Sequence, residues 1–257
     1  MMFGISMRGF LAPLLLACGI AAPAQASTVL DFGNTSGQVE LGTTGTYGNV
    51  RPYTLMVAGQ AVNVQVSGWR LNGSTITNAF VGAYSGWGLG VTNRAENGWV
   101  PGHAVDDFNG LDFITMRFDQ AVILDQIGLK AVSGNDTDAR IRFGTATGAF
   151  GTGLGLHNAN FSALTGMLDP TGFDSLGGSS SRTGTFNPTG LAGNLWVVSP
   201  YTGDGSHKYD YFKLKSVAVP LPAPAVPEPG TWLMMLIGFF ATGAAMRHRP
   251  ARQAALA

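Results

Sequence analysis

The chain has 257 residues, of which 12% are charged, about half the share in an ordinary soluble domain, and 37 are glycine. Fifteen Lys and Arg balance fifteen Asp and Glu, so no net positive field exists to draw in nucleic acid. Low charge with abundant Gly also excludes a coiled coil, a helix bundle and an acidic disordered tail.

The first element in chain order is a targeting segment. Met7-Arg8 precede an apolar run from Gly9 to Ala22, broken by Pro13, and Ala24-Gln25-Ala26 follow. A charged start, a short apolar stretch and a small-residue site are the parts of a secretory signal, here 1–26, with cleavage expected before Ser27. A buried first helix is the alternative, and Pro13 near its middle opposes it. The single cysteine, Cys18, lies inside the segment. Read as a lipobox it would become a lipidated N-terminus, but Leu16 is not the small residue usual two places before such a cysteine. Without that segment the exported chain has no thiol, so packing or bound ions must hold it in place of disulfides.

From Ser27 onward apolar residues repeat with period two: Val62, Val64 and Val66; Ala139, Ile141 and Phe143 around Arg140 and Arg142; Phe212 and Leu214 around Lys213. That alternation belongs to half-buried strands, and turn residues every 8 to 12 positions predict one all-β sandwich over 27–218. Leu111 to Phe118 and Ala121 to Leu129 read as two central strands joined by a polar turn at Asp119-Gln120. Phe113 then faces one way and Ile114, Met116 and Phe118 the other. Ala146 to Gly193 is rich in Gly, Ser and Thr and reads as long loops, tied to the core by Phe150, Phe161, Leu164 and Leu195.

Val219 to Pro229 holds five prolines, which bar helix and strand and predict a stiff linker, 219–226. Trp232 to Met246 follows as fifteen residues without a charge, closed by Arg247, His248, Arg249 and Arg252. As a helix this is about 22 Å, a marginal membrane span, with the basic cluster in the cytoplasm and Trp232 at the outer interface.

Pro227-Glu228-Pro229-Gly230-Thr231-Trp232, an apolar helix and an Arg-rich end with Arg247 and Arg249 resemble the PEP-CTERM sorting signal over 227–252. Leu233 stands where one subgroup of that family has Ala. The resemblance implies export in a Gram-negative bacterium, a transient inner-membrane anchor, and cleavage by an exosortase with release or attachment at the cell surface. A second resemblance rests on Gly88-Leu89-Gly90-Val91, Pro101 to Asp107, Asp112 to Val122 and Gly134-Asn135-Asp136-Thr137-Asp138. These look like a group of exosortase-dependent surface proteins with a jelly-roll-like ectodomain, although that group often has Asn where Asp107 stands. It implies a fold and a place, not a reaction.

No nucleophile elbow, zincin helix, paired-cysteine motif or phosphate loop occurs. His103, His157 and His207 are too scattered to favour a zinc site. Asp136 and Asp138 are spaced to share a calcium ion, or simply to cap a turn. His103, Asp106 and Asp107 form the most distinctive segment, as a ligand site or as a loop locked by hydrogen bonds. Tyr84, Trp87 and Trp99 in Gly-rich loops offer ring faces to a sugar, or cover a small core. The expectation is a non-enzymatic surface or extracellular protein without a required cofactor, served by the export machinery and an exosortase; a place in the biofilm matrix in contact with exopolysaccharide is what the family resemblance implies. The alternatives are a secreted glycan hydrolase, which needs two carboxylates across a cleft, and a purely structural matrix component.

Overall fold

The alternating strands build two antiparallel sheets. The computed structural model describes residues 26–34, 46–96, 103–108, 110–203, 209–221 and 229–247. In chain order the elements are β1 (Ser27–Asp31), β2 (Val50–Val57), β3 (Gln60–Asn72), β4 (Thr75–Asn78), β5 (Phe80–Tyr84), β6 (Gly88–Thr92), β7 (Val105–Asp106), β8 (Leu111–Ile123), β9 (Gln126–Ala131) and β10 (Ala139–Gly144). They continue with α1 (Phe161–Thr165), β11 (Leu168–Ser175), β12 (Arg182–Thr185), β13 (Ala192–Pro200), β14 (Tyr211–Pro220) and α2 (Pro229–Arg247). One sheet runs β12-β9-β14-β6-β5, with β1 and β7 also on β14; the other runs β11-β10-β13-β8-β3-β2, with β4 on β3.

The core lies between the sheets because the period-two faces meet there. Val62, Val64 and Val66 of β3, Ile114, Met116 and Phe118 of β8, and Ile141 and Phe143 of β10 pack against Leu89, Val91, Leu129, Phe212 and Leu214 of the other sheet. Each fully buried Leu, Ile or Phe there contributes roughly 1.5–3 kcal/mol. The opposite face of β8 and β13 is not left to water. Phe113, Leu195 and Val197 meet Trp69, Leu156 and Leu164 in a second apolar cluster under α1. Buried Arg117, also on that face, donates to the carbonyls of Thr147, Gly148, Ala149 and Thr152 at 2.5–3.2 Å and so fastens the 147–152 loop.

Four expectations are corrected. The Asp119-Gln120 turn does not exist, since β8 runs through it to Ile123 with those two residues exposed. The chain bends at Leu124-Asp125 instead and crosses to the other sheet, so β8 and β9 are not paired. The presumed long loops contain α1, β11 and β12. Both strands are edges with mostly solvent-facing side chains, and an exposed edge needs no apolar alternation. Within them Phe173 and Phe186 close an aromatic cluster with Phe143 and Trp196, whereas Phe150 is exposed and ties nothing down. Finally, β14 extends into the proline-rich stretch as far as Pro220, where the strand ends and a missing N–H costs no interior ladder bond.

The two ends of the sandwich domain lie side by side. β1 pairs antiparallel with β14, Ser27 opposite Pro220, and the Ala26 carbonyl accepts from the Leu221 amide at 2.8 Å. Chain entry and exit therefore share one pole. Tyr211, at the start of β14, is about 30 Å away at the other. Beyond residues 222–228 α2 begins at Pro229, a residue suited to the first helical turn. Its side chains from Trp232 to Arg247 are exposed. The expected apolar helix is thus present, but among the described residues no helix is long and apolar enough to cross a membrane.

Candidate functional site

The pole remote from the termini collects acids. β8 alternates so that Asp112 has the same orientation as Ile114, Met116 and Phe118, facing the core at its very end. Arg70 is its cross-strand partner on β3. The β7 segment brings Asp106 to the same place, and the turn after β6 brings Glu96. One carboxylate oxygen from each of Glu96, Asp106 and Asp112 lies within 4.8 Å of the other two. Asn93 joins them: its Nδ2 donates to Asp112 Oδ1 at 3.2 Å, Asp112 Oδ2 at 3.1 Å and Glu96 Oε1 at 3.1 Å, while its Oδ1 accepts from Arg70 at 3.3 Å. Asp106 is 0% exposed, with Oδ1 accepting from the Phe108 amide at 3.0 Å.

Three crowded acids away from water resist ionisation. Burial first and the Glu96 charge second push Asp106 up to about 8. Burial raises Glu96 to about 7. Asp112 is well above the carboxylate range, through burial and then the charges of Asp106 and Glu96. Lys213 on β14 suffers the converse: burial lowers it to about 7, opposed by Glu96 and Asp106.

Lys213 is held by the motif that sequence marked as distinctive. Its Nζ donates to the His103 carbonyl at 2.7 Å and sits 3.8 Å from the centre of the Tyr84 ring. His103, in a left-handed backbone conformation at φ 53°, stacks on Tyr84 and shares a 2.7 Å hydrogen bond between Nδ1 and Thr92 Oγ1. Burial, then Lys213, lowers its pKa. Gly90 is required here, because a Cβ would collide with the His103 carbonyl. His103 and Asp106 are thus held by separate partners, Thr92 and the Phe108 amide.

A second acidic group lies at the same pole. An isolated bridge joins Asp136 to Asp210, and oxygens of Asp136, Asp138 and Asp210 lie within 4.8 Å of one another. Each has a backbone donor: Thr137 N to Asp136 at 2.8 Å, Gly177 N to Asp138 at 2.5 Å, and Asp138 N to Asp210 at 3.2 Å. Arg182 stands 3.9 Å from Asp138. Asp107 turns this way rather than toward Asp106, accepting from the Asp210 amide at 3.0 Å. Burial, and then Asp107, Asp138 and Asp136, raise Asp210 to about 8.

Of the three aromatic residues proposed for sugar stacking, Tyr84 is committed to Lys213 and His103, and Trp87 is 44% exposed with Lys130 5.3 Å from its ring centre. Trp99 lies outside the described residues, as do Pro227, Glu228, Arg249 and His207. Pro229, Trp232 and Arg247 belong to α2. A groove of about 650 Å³ that the sequence did not signal runs between α1 and the outer face of the β8 sheet. Phe161, Leu168 and Pro170 form one wall, Phe113 and Val197 the floor, and Arg140 and Arg142 one side. Arg140 is paired with Asp174 at 2.8 Å and Arg142 donates to the Pro170 carbonyl at 2.9 Å. Asp169 is the one carboxylate in its described lining.

Glu96, Asp112, Arg70, Lys213 and Asp210 were not singled out from sequence. The available signal was parity: Asp112 and Arg70 stand at core-facing positions of otherwise apolar strand faces. No family model and no curated protein matches the chain.

Proposed function

We propose that this chain is an exported, non-enzymatic surface or extracellular matrix protein of a Gram-negative bacterium, processed by an exosortase at its C-terminal PEP-CTERM segment and contacting exopolysaccharide through a jelly-roll-like ectodomain. The observation that carries the reading is the β1–β14 pair. The expected signal cleavage falls at the first residue of β1, and the sorting segment follows the last residue of β14 at the same pole. A precursor threaded through a membrane at both ends needs that arrangement, since its two apolar segments then reach one bilayer without deforming the fold. The short helix α2 is accommodated by drawing in its flanks or thinning the bilayer. The test is fractionation of a Glu228→Ala variant. Retention of the variant in the inner membrane supports the reading, and release equal to wild type overturns it.

The groove under α1 suits a glycan better than the loop aromatics do, combining an apolar wall for a sugar face with guanidinium groups for its hydroxyl or carboxylate edges. Asp169 alone in that lining supports binding over hydrolysis, which takes two facing carboxylates. In an affinity gel containing the producer's polysaccharide, Phe161→Ala is expected to migrate freely while Trp87→Ala is retarded like wild type. Equal retardation of all three removes the groove, and hydrolysis by wild type that is lost in Asp106→Asn promotes the enzyme alternative. Calcium at Asp136 and Asp138, now joined by Asp210, is the ion this reading expects to stiffen the remote pole.

A further inference from the structure

We infer that Glu96, Asp106 and Asp112 form a calcium site at the remote pole, separate from Asp136 and Asp138. The ligands are all oxygen, the donor set of a hard cation. One oxygen from each acid lies within 4.8 Å of the others, close enough for a single cation to bridge, and a buried cage made by the protein alone favours calcium over magnesium, which gives up its waters reluctantly.

The second observation is an orphaned oxygen. Asp106 Oδ2 is buried without a hydrogen-bond partner, in a side chain with no exposure, beside the two other carboxylates. A buried acceptor left without a partner costs about 1–3 kcal/mol, so its retention calls for a ligand that repays it. No side-chain oxygen of Asp136, Asp138 or Asp210 is both buried and without a partner.

Two cations face the site. Arg70 donates to Asn93 Oδ1, and the Lys213 ammonium is directed at the His103 carbonyl and the face of Tyr84. Three carboxylates outnumber them, and each cation also has a neutral acceptor, Arg70 in Asn93 Oδ1 and Lys213 in the His103 carbonyl. Asn93, donating to Asp112 and Glu96, orients these acids while leaving them further lone pairs. The Asp106 carboxylate is set on β7 directly opposite Tyr211 of β14, which gives the site an aromatic reporter.

The test uses the full chain in detergent, stripped with EDTA and then freed of it. Calcium chloride is titrated calorimetrically, magnesium chloride serves for comparison, and terbium luminescence sensitised by Tyr211 is the second readout. Wild type is expected to take up calcium at least tenfold more tightly than magnesium. Asp106→Asn and the less buried Glu96→Gln should each lose that uptake and the terbium signal by tenfold or more while keeping the strand circular dichroism of wild type. Asp138→Asn, which alters only the separate Asp136, Asp138 and Asp210 group, should keep the uptake that Asp106→Asn and Glu96→Gln remove. No uptake by wild type, unchanged uptake in folded Asp106→Asn or Glu96→Gln, uptake abolished by Asp138→Asn alone, or equal affinity for magnesium each overturns the assignment.

Discussion

The two poles of the sandwich are built on opposite principles. Where the chain enters and leaves, Ser27 to Asp31 are zipped to Ser216 to Pro220 by backbone pairing, and Leu124, Ile127 and Val219 fill the space beneath. At the other pole the core is closed by buried Asp112, Asp106 and Lys213, with half-buried Arg70 opposite Asp112, charged groups whose desolvation is costly unless partners repay it. The first pole is what a fold needs in order to be stable. The second spends stability on a concentration of acids, and such expenditure is characteristic of a site.

The largest effect that separates the poles is expected from Leu124→Ala at the apolar one. Leu124 is fully buried at the corner between sheets, so chemical denaturation should show a loss of about 2–5 kcal/mol, the same with calcium or chelator. Gly90→Ala strikes the acidic pole by driving a methyl group into the His103 carbonyl. A loss of about 1–3 kcal/mol is expected, with Gly153→Ala, which meets nothing within 4 Å, unchanged.

A smaller effect gives the comparison a sign. Glu96 near 7 and Asp106 and Asp210 near 8 bind protons more tightly folded than unfolded. In chelator they should therefore lower stability as pH rises from about 4 to 8. Lys213, near 7 when folded, binds its proton more tightly in the unfolded chain, so its contribution recovers stability from about 7 to 10. Thermal melts in chelator should reach a minimum near pH 8, and Asp106→Asn should raise that minimum by on the order of 1 kcal/mol. A melting temperature rising steadily from pH 5 to 8 contradicts this. The smallest effect is expected from Trp87→Ala, within about 0.5 kcal/mol of wild type by the same melts, because the ring is largely in solvent.

Sequence and structure part company at identifiable residues. The alternation in 62–66, 139–143 and 212–214 was legible because the apolar residues of each strand line one face, and 111–118 read as central because both of its faces carry apolar residues; together they led to a two-sheet core. β11 and β12 were not legible, since these edge strands, bearing Pro170, Gly172 and Gly184, show no alternating apolar run. Asp119-Gln120 misled because a polar pair in an exposed stretch of strand looks like a turn, while the real corner, Leu124-Asp125, carries an apolar residue. At the acidic pole His103, Asp106 and Asp107 stood out as an unusual segment, yet Asp210, bound by Asp107, and Lys213, bound by the His103 carbonyl, lie about a hundred positions away. Only topology brings them together. The groove is assembled in the same way from β8, β10, β13, α1 and β11, each contributing two or three residues without a motif.

The proposed function requires a chain cut at one pole and displayed by the other. Intact mass and terminal peptide mapping of the protein recovered from the cell surface or medium address this directly. The expected species begins at Ser27 and ends before Trp232, lacking the apolar part of α2 and Arg247. Recovery of a surface species that still carries Arg247, or one that begins well inside β1, would contradict it.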